Sequence, residues 1–109
     1  MHELAITENI VSSICERVGG SRVTRVRLVI GKLSGVVPES VRFCFDVCAT
    51  GTPVEGAQLE VDEPPGRARC RTCGAETELP DAIPLCGCGS ADLELLDGQQ
   101  LLIKEVEVI

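Results

Sequence analysis

Apolar residues recur at helical spacing from the start of the chain. Leu4, Val11, Ile14, Cys15 and Val18 lie three, four or seven positions apart, and Ile6 and Ile10 widen the stripe. The spacing predicts an amphipathic helix over 3–18, with Glu3 and Glu8 toward its positive end, Arg17 near its negative end, and Gly19-Gly20 to stop it. The period then changes. Residues 22–30 are rich in β-branched side chains, and strict alternation puts Arg25 and Arg27 on one face and Thr24, Val26, Leu28 and Ile30 on the other, a strand with one wet face. Gly31 to Gly35 reads as a loop, and Pro38 suits the first turn of a second helix, on which Val37, Val41, Cys44, Phe45 and Cys48 share a face. After a turn-rich connection, Gln58 to Glu63 alternates again, with Leu59 and Val61 opposite Glu60 and Asp62. A last β pattern runs from Leu101 to Ile109, Val106 and Val108 alternating with Glu105 and Glu107.

Glu63-Pro64-Pro65-Gly66 is the clearest boundary, stiffened by two prolines. The segment it opens closes near Asp97-Gly98. A lone C-terminal strand needs a sheet to join, and a lobe of some thirty residues offers little of one. The strand is therefore expected to return to the first lobe. The fold class that follows is α+β in a small two-lobe protein. Residues 1–66, completed by 99–109, form two helices on a roughly three-stranded sheet, and a zinc-ribbon-like lobe of four cysteines is inserted at 67–98.

The inserted segment carries the most specific chemistry. It reads Cys70-Arg-Thr-Cys73, twelve residues, then Cys86-Gly-Cys88, with Gly74 and Gly89 after the second cysteine of each pair. Two cysteines on a tight turn aim both sulfurs at one ion, and glycine just past the turn tolerates the positive φ that such a knuckle needs. Two facing knuckles supply four thiolates, the set a structural Zn²⁺ takes, with no open position for catalysis. The second pair is one residue short, and Gly87 between its sulfurs is expected to make the tighter turn feasible. Disulfides would need an oxidising compartment; a thioredoxin-like Cys70-x2-Cys73 would need a helix opening at the first cysteine, against which Pro64-Pro65-Gly66 argues. Cys15, Cys44 and Cys48 lie on apolar stripes and read as core thiols. Cys44 and Cys48, four apart, form a second potential soft-metal pair.

Composition narrows the classes. Of 109 residues, 44% are hydrophobic but only Phe43 and Phe45 are aromatic, so the core is aliphatic. A net charge of −7 repels phosphate backbones and anionic membranes, and no apolar run approaches the ~20 residues of a membrane span. Seven cysteines, an odd number, and a start without a basic or long apolar region lead to the cytoplasm as the expected compartment. There is no G-x4-G-K-[S/T] loop, and the single histidine allows neither a histidine-rich catalytic zinc site nor a Ser/His/Asp set, so no enzyme is expected.

The first three residues form a second constellation. If the chain keeps Met1, the Met1 α-amine, the His2 amide nitrogen and the His2 imidazole can close two chelate rings on one ion, and nitrogen donors in a plane suit Ni²⁺ or Cu²⁺. Glu3 or another nearby oxygen completes the set. On these residues alone a terminal histidine is more often a solvated one.

Taken in order, Met1-His2-Glu3-Leu4, Ile30-Gly31-Lys32-Leu33-Ser34-Gly35, Pro38-Glu39-Ser40, Phe43-Cys44-Phe45-Asp46, Cys70-x2-Cys73-Gly74 and Cys88-Gly89-Ser90 closely resemble the HypA/HybF family of nickel-insertion accessory proteins for [NiFe] hydrogenase. The resemblance spans essentially the whole chain. It implies a cytoplasmic nickel metallochaperone, a monomer or weak dimer, that works with a HypB-type GTPase and the hydrogenase large subunit. It implies that Met1, His2 and Glu3 hold the transported Ni²⁺ and that Cys70, Cys73, Cys86 and Cys88 hold structural Zn²⁺. Two departures stand out: the family commonly has two C-x2-C pairs, and many members carry an acidic residue where this chain has Val36-Val37, with Glu39 a neighbour.

The alternative is a zinc-ribbon module binding nucleic acid or a transcription complex, supported by Arg67, Arg69 and Arg71 beside the first knuckle. Against it stand Glu76, Glu78, Asp81, Asp92, Glu94 and Asp97 in the same lobe and the absence of stacking aromatics. A purely structural adaptor with an inert N-terminus is the third reading. The nucleic-acid and membrane surfaces are not expected as partners.

Overall fold

A computed structural model describes residues 2–79 and 85–109. Helix α1 spans Glu3–Val18, with Glu3 in its first turn, Arg17 in its last, and Gly19 closing it through a 3.2 Å hydrogen bond to the Cys15 carbonyl. Strand β1 is Val23–Ile30. Helix α2, Pro38–Ala49, begins on the proline whose missing N–H would have been an orphan there. Strand β2 is Gln58–Asp62 and β6 is Leu101–Val108. The sheet order is β2-β1-β6: β1 and β2 run parallel, joined through α2, and β6 lies antiparallel on the other side of β1.

Both helices bury their stripes against this sheet. Val11 and Ile14 of α1, Val41, Phe45 and Ala49 of α2, and Val23, Val26, Leu28 and Ile30 of β1 form one apolar core. Ile6, Ile10, Ile103 and Val106 are packed at its margin. Thr7 is the one buried polar residue among those described, its hydroxyl donating to the Glu3 carbonyl at 2.7 Å.

Two residues expected on inner faces lie outward. Thr24 was expected on the inner face and is exposed, because the β1–β6 register shifts between Val23 and Arg25 and a bulge turns it outward. Val37 was expected on the inner face of α2 and is 51% exposed, because it precedes the helix as its N-cap with extended backbone. The outer face of the sheet is an ion-pair ladder. Arg25 and Arg27 both reach Glu60, at 3.1 and 2.9 Å, Arg27 reaches Glu105 at 3.3 Å, and Arg25 also pairs with Glu107.

The cysteine segment carries a sheet of its own, which alternation along the sequence does not reveal. Strands β3 (Gly66–Cys70), β4 (Glu76–Leu79) and β5 (Leu93–Asp97) are ordered β4-β3-β5, both pairings antiparallel. Its inner positions on β3 are Gly66, Ala68 and Cys70, too small to register as a hydrophobic strand.

Three stretches of backbone meet where the two sheets join, in a molecule 52 Å long and 23 by 18 Å across. The Gly31 amide donates to the Gln100 carbonyl at 2.8 Å, Lys32 to Pro64 at 3.0 Å, and Leu33 to Gly98 at 2.8 Å. A Cβ on Gly31 would fall 2.1 Å from the Gly98 oxygen, and one on Gly98 would fall 2.5 Å from the Gly66 Cα. Only glycine allows backbones this close.

Candidate metal centre

Each cysteine pair sits where a strand of the small sheet ends or a turn begins. Cys70 is the last residue of β3, and the chain turns back so that the Gly74 amide donates to the Cys70 carbonyl at 2.8 Å and the Cys70 amide to Ala75 at 2.8 Å. The shorter pair closes one residue sooner. The Gly89 amide donates to the Cys86 carbonyl at 2.9 Å, and the Cys86 amide to Ser90 at 2.9 Å. Gly74 and Gly89 hold φ of 78° and 93°. Gly87 was expected to permit the short turn; it has no positive φ, and a Cβ there would meet nothing within 4 Å, so Gly89 is the glycine this knuckle requires. The knuckles are tied across by Thr72 and Ser90, whose hydroxyls lie 2.9 Å apart, and by Arg71, which pairs with Asp92 at 2.9 Å.

The four sulfurs converge. Cys70 Sγ lies 3.7 Å from Cys88 Sγ, Cys73 Sγ lies 3.7 Å from Cys86 Sγ, and all four lie within 4.8 Å of one another. A tetrahedron with metal–sulfur bonds of roughly 2.3 Å has edges of about 3.8 Å, so the donor set fits a tetrahedral thiophilic ion. Cys70 and Cys86 are buried; Cys73 and Cys88 are exposed. The Cys73 amide, and after it the Thr72 amide and the neighbouring thiols, hold the Cys70 thiol down at about 6. The Ser90 amide pulls Cys88 the same way, but the crowding thiols of Cys86 and Cys70 outweigh it and push Cys88 up to about 11. Four sulfurs this close cannot all ionise without a cation between them. Among the described residues, no other group of three or more His, Cys, Asp or Glu donors converges in this way.

The N-terminal constellation lies in the other lobe. Met1 falls outside the described residues. His2 is exposed and caps α1, its carbonyl accepting from the Ile6 amide at 3.0 Å. The Glu3 carboxylate accepts from the Val37 amide at 3.3 Å, which places it against the start of α2. His2 and Glu3 line an open cleft of about 710 Å³ together with Glu8, Glu39 and Cys44. Cys44, taken from the periodicity as a core thiol, is half-buried and in this wall. Its position on the edge of the α2 stripe made it indistinguishable from Cys48, which does pack against the core. Burial, and after it Glu8 and Cys44, push the Cys48 thiol up from its ordinary value.

A two-helix α+β lobe joined to a tetrathiolate lobe defines a small metal-binding protein. The comparisons specify which. The family model described as "HypA: Hydrogenase/urease nickel incorporation, metallochaperone, hypA" matches residues 1–108. A hydrogenase maturation factor HypA from Nostoc sp. is 54% identical over 108 residues, covering 99% of this chain and 96% of the relative. Another from Geobacter metallireducens is 44% identical over 110 residues, covering 99% of each. The solution structure of the Ni metallochaperone HypA from Helicobacter pylori has the same fold, with a TM-score of 0.66 at 20% identity over 100% of this chain and 98% of that one. The chain belongs to the HypA family, metallochaperones for nickel incorporation into hydrogenase and urease. That role is an accessory one, carried out on other proteins, rather than catalysis. No described helix is long and apolar enough to cross a membrane.

Proposed function

We propose that this chain binds Ni²⁺ at its N-terminus and delivers it during maturation of [NiFe] hydrogenase, while the four cysteines hold a structural Zn²⁺. The nickel ligands are the Met1 amine, the His2 nitrogens and the Glu3 carboxylate, in the lobe of residues 1–66 with 99–109. The zinc ligands are Cys70, Cys73, Cys86 and Cys88, in the lobe of residues 67–98. The partners are a HypB-type GTPase and the hydrogenase large subunit, in the cytoplasm. The observation that carries the reading is the separation of two donor sets by chemistry. Four thiolates make a closed, soft site, and an exposed imidazole beside carboxylates at a cleft mouth makes an open, harder one. An open site at a helix terminus can be entered and emptied, which delivery requires.

Nucleic-acid binding finds little support. Arg67 pairs with Glu76 at 3.0 Å, Arg69 with Glu76 and Glu94 at 3.6 Å, and Arg71 with Asp92, so the basic residues beside the knuckle are neutralised within the chain. The experiment that tests the proposal is a nickel titration of zinc-loaded protein. One tight Ni²⁺ site is expected, lost in His2→Ala with zinc content unchanged; tight nickel binding that survives the substitution refutes the assignment.

A further inference from the structure

Among the described residues nothing pairs with the outer edge of β6, and it borders an apolar groove. Ile6, Asn9, Ile10 and Ser13 of α1 face Leu101 to Ile103 across a hollow of about 370 Å³. A second hollow of about 640 Å³ continues it between Ser13, Arg17 and the rest of the strand. Leu102 and Val108 are each 48% exposed. An eight-residue edge without proline is a template for another strand unless something covers it.

The strand is complementary to itself, and its bulge is the reason. Arg27 is opposite Glu105 and Leu28 opposite Ile103, so Lys104 is an extra residue on β6. Ile103 and Val106 therefore both pack toward the helices, and Lys104 and Glu105 both lie on the outer face, where Lys104 pairs with Asp62 at 3.5 Å and Glu105 with Arg27 at 3.3 Å. Consider a two-fold axis between Lys104 and Glu105. It sets Ile103 opposite Val106 of the partner subunit and Leu101 opposite Val108 of the partner subunit, apolar on apolar over the groove. It sets Lys104 opposite Glu105 of the partner subunit, cation on anion, twice. In a strand without the bulge this axis would oppose inner residues to outer ones, and no such match would exist.

The backbone agrees. The Gln100 carbonyl accepts from Gly31 and the Ile109 amide donates to Arg22, so residues 100 and 109 turn toward β1. By alternation from each end, 101, 103, 106 and 108 turn their N–H and C=O groups outward. These are the residues that the axis pairs. We propose that two copies of this chain associate through β6 in an antiparallel pair, forming a continuous six-stranded sheet. The surface is distinct from the His2 cleft, which opens on the other side of α1 at Glu3, Leu4 and Glu8, so association leaves that cleft accessible. The inference stands whether or not the nickel assignment does.

Sedimentation velocity of the full, metal-loaded chain from micromolar to millimolar concentration is the test, with amide exchange read in parallel. A concentration-dependent dimer is expected, with the Ile103 and Val106 amides protected only in the dimer. Val106→Pro removes an outward N–H and keeps every bond to β1, so it should weaken the dimer at least tenfold while the far-ultraviolet circular dichroism is retained. Should that variant misfold, Lys104→Glu decides, since it opposes two carboxylates at each end of the axis and should weaken association comparably. A chain that stays monomeric throughout, or a dimer that both variants leave intact, overturns the proposal; monomeric behaviour would leave the edge to a strand from another protein.

Discussion

The Glu3 carboxylate lies against the Val37 amide, 3.3 Å away, and so joins the first turn of one helix to the N-cap of the other. Val37 supplies no side-chain cap to α2, and the anion at the helix start stands in for one. The same carboxylate lines the cleft beside His2, which couples the shape of that cleft to the packing of the two helices. The two roles separate by substitution. Glu3→Gln keeps an acceptor for Val37 and removes the charge, so it should weaken nickel binding with little change in melting temperature. Glu3→Ala removes both and, with the capping acceptor gone, should also cost about 0.5–2 kcal/mol of stability. Paired nickel titrations and thermal melts distinguish them; equal loss of stability in both variants would show that the charge, not the hydrogen bond, positions α2.

The four-cysteine lobe should depend on its metal. It buries only Gly66, Ala68, Cys70, Leu79, Cys86 and Gly98 among the described residues, too little apolar surface to offset chain entropy alone. Chelation, or Cys73→Ser, should abolish amide protection in β3, β4 and β5 and leave β1 and the helices protected. Persistent protection in β3 without metal would mean that the cysteines are not a structural site.

Much of this was legible in the sequence, for reasons that differ by element. The stripe from Leu4 to Val18 spans more than four helical turns, and Gly19 ends it unambiguously, so α1 is found where the periodicity puts it. The knuckles were legible because the chemistry of tetrathiolate binding fixes cysteine spacing. The small sheet was not, because Gly66, Ala68 and Cys70 on its inner face carry almost no hydrophobic signal and its outer face is charged on every strand. The faces of Thr24 and Lys104 are not legible, because a bulge changes parity without leaving any residue-type signature. The role of Cys44 at the cleft depends on how far α2 rotates against α1, which one helix's periodicity does not contain.

The junction of the two lobes tolerates no side chain on its inner backbone. Gly98 has a φ of 105°, and a Cβ there would sit 2.5 Å from the Gly66 Cα, a backbone atom that cannot swing aside. Gly98→Ala should destabilise by about 1–3 kcal/mol or separate the lobes. Gly66→Ala meets the Leu33 side chain at 2.2 Å instead, which can move, so it should cost less. Denaturant titration gives the order, and the reverse order would show that the neck yields at Gly98.

Nickel held by nitrogen donors should leave on acidification before zinc held by thiolates. Nitrogens bind metal only when deprotonated, and a deprotonated amide donor would add another proton to the release. Protein loaded with both metals and brought stepwise from about pH 7.5 to about pH 6 should lose nickel while retaining zinc. A Gly-Ser extension ahead of Met1 should damage nickel binding as His2→Ala does, since it displaces the amine. Nickel that remains bound at pH 6, or zinc that departs first, would shift the nickel ligands to the cysteines.

The ion-pair ladder on the outer face of the first sheet predicts an acid-dependent loss of stability with a definite sign. The Arg27 guanidinium hydrogen-bonds Glu60, and with Arg25 it outweighs the cost of partial desolvation, holding the Glu60 carboxyl below its ordinary value. A carboxyl whose folded value lies below its unfolded one binds its proton less readily in the folded chain. Its contribution is therefore complete above the ordinary carboxylate value of about 4.3 and is lost as the pH falls below that toward the folded value. Glu60→Gln removes the contribution, so the gap in melting temperature between parent and variant should be widest near neutrality and close as the pH falls through that window. Side chains in the ladder are about a third to a half exposed, so the gap should be modest and should narrow with added salt. Loss of a metal from the four cysteines at low pH would also lower stability, so amide protection of Val26 and Leu28, in the core strand beneath the ladder, is the signal to follow. A gap that stays constant from neutrality to well below the carboxylate range would show that Glu60 acts through packing against the arginine stems and not through its charge.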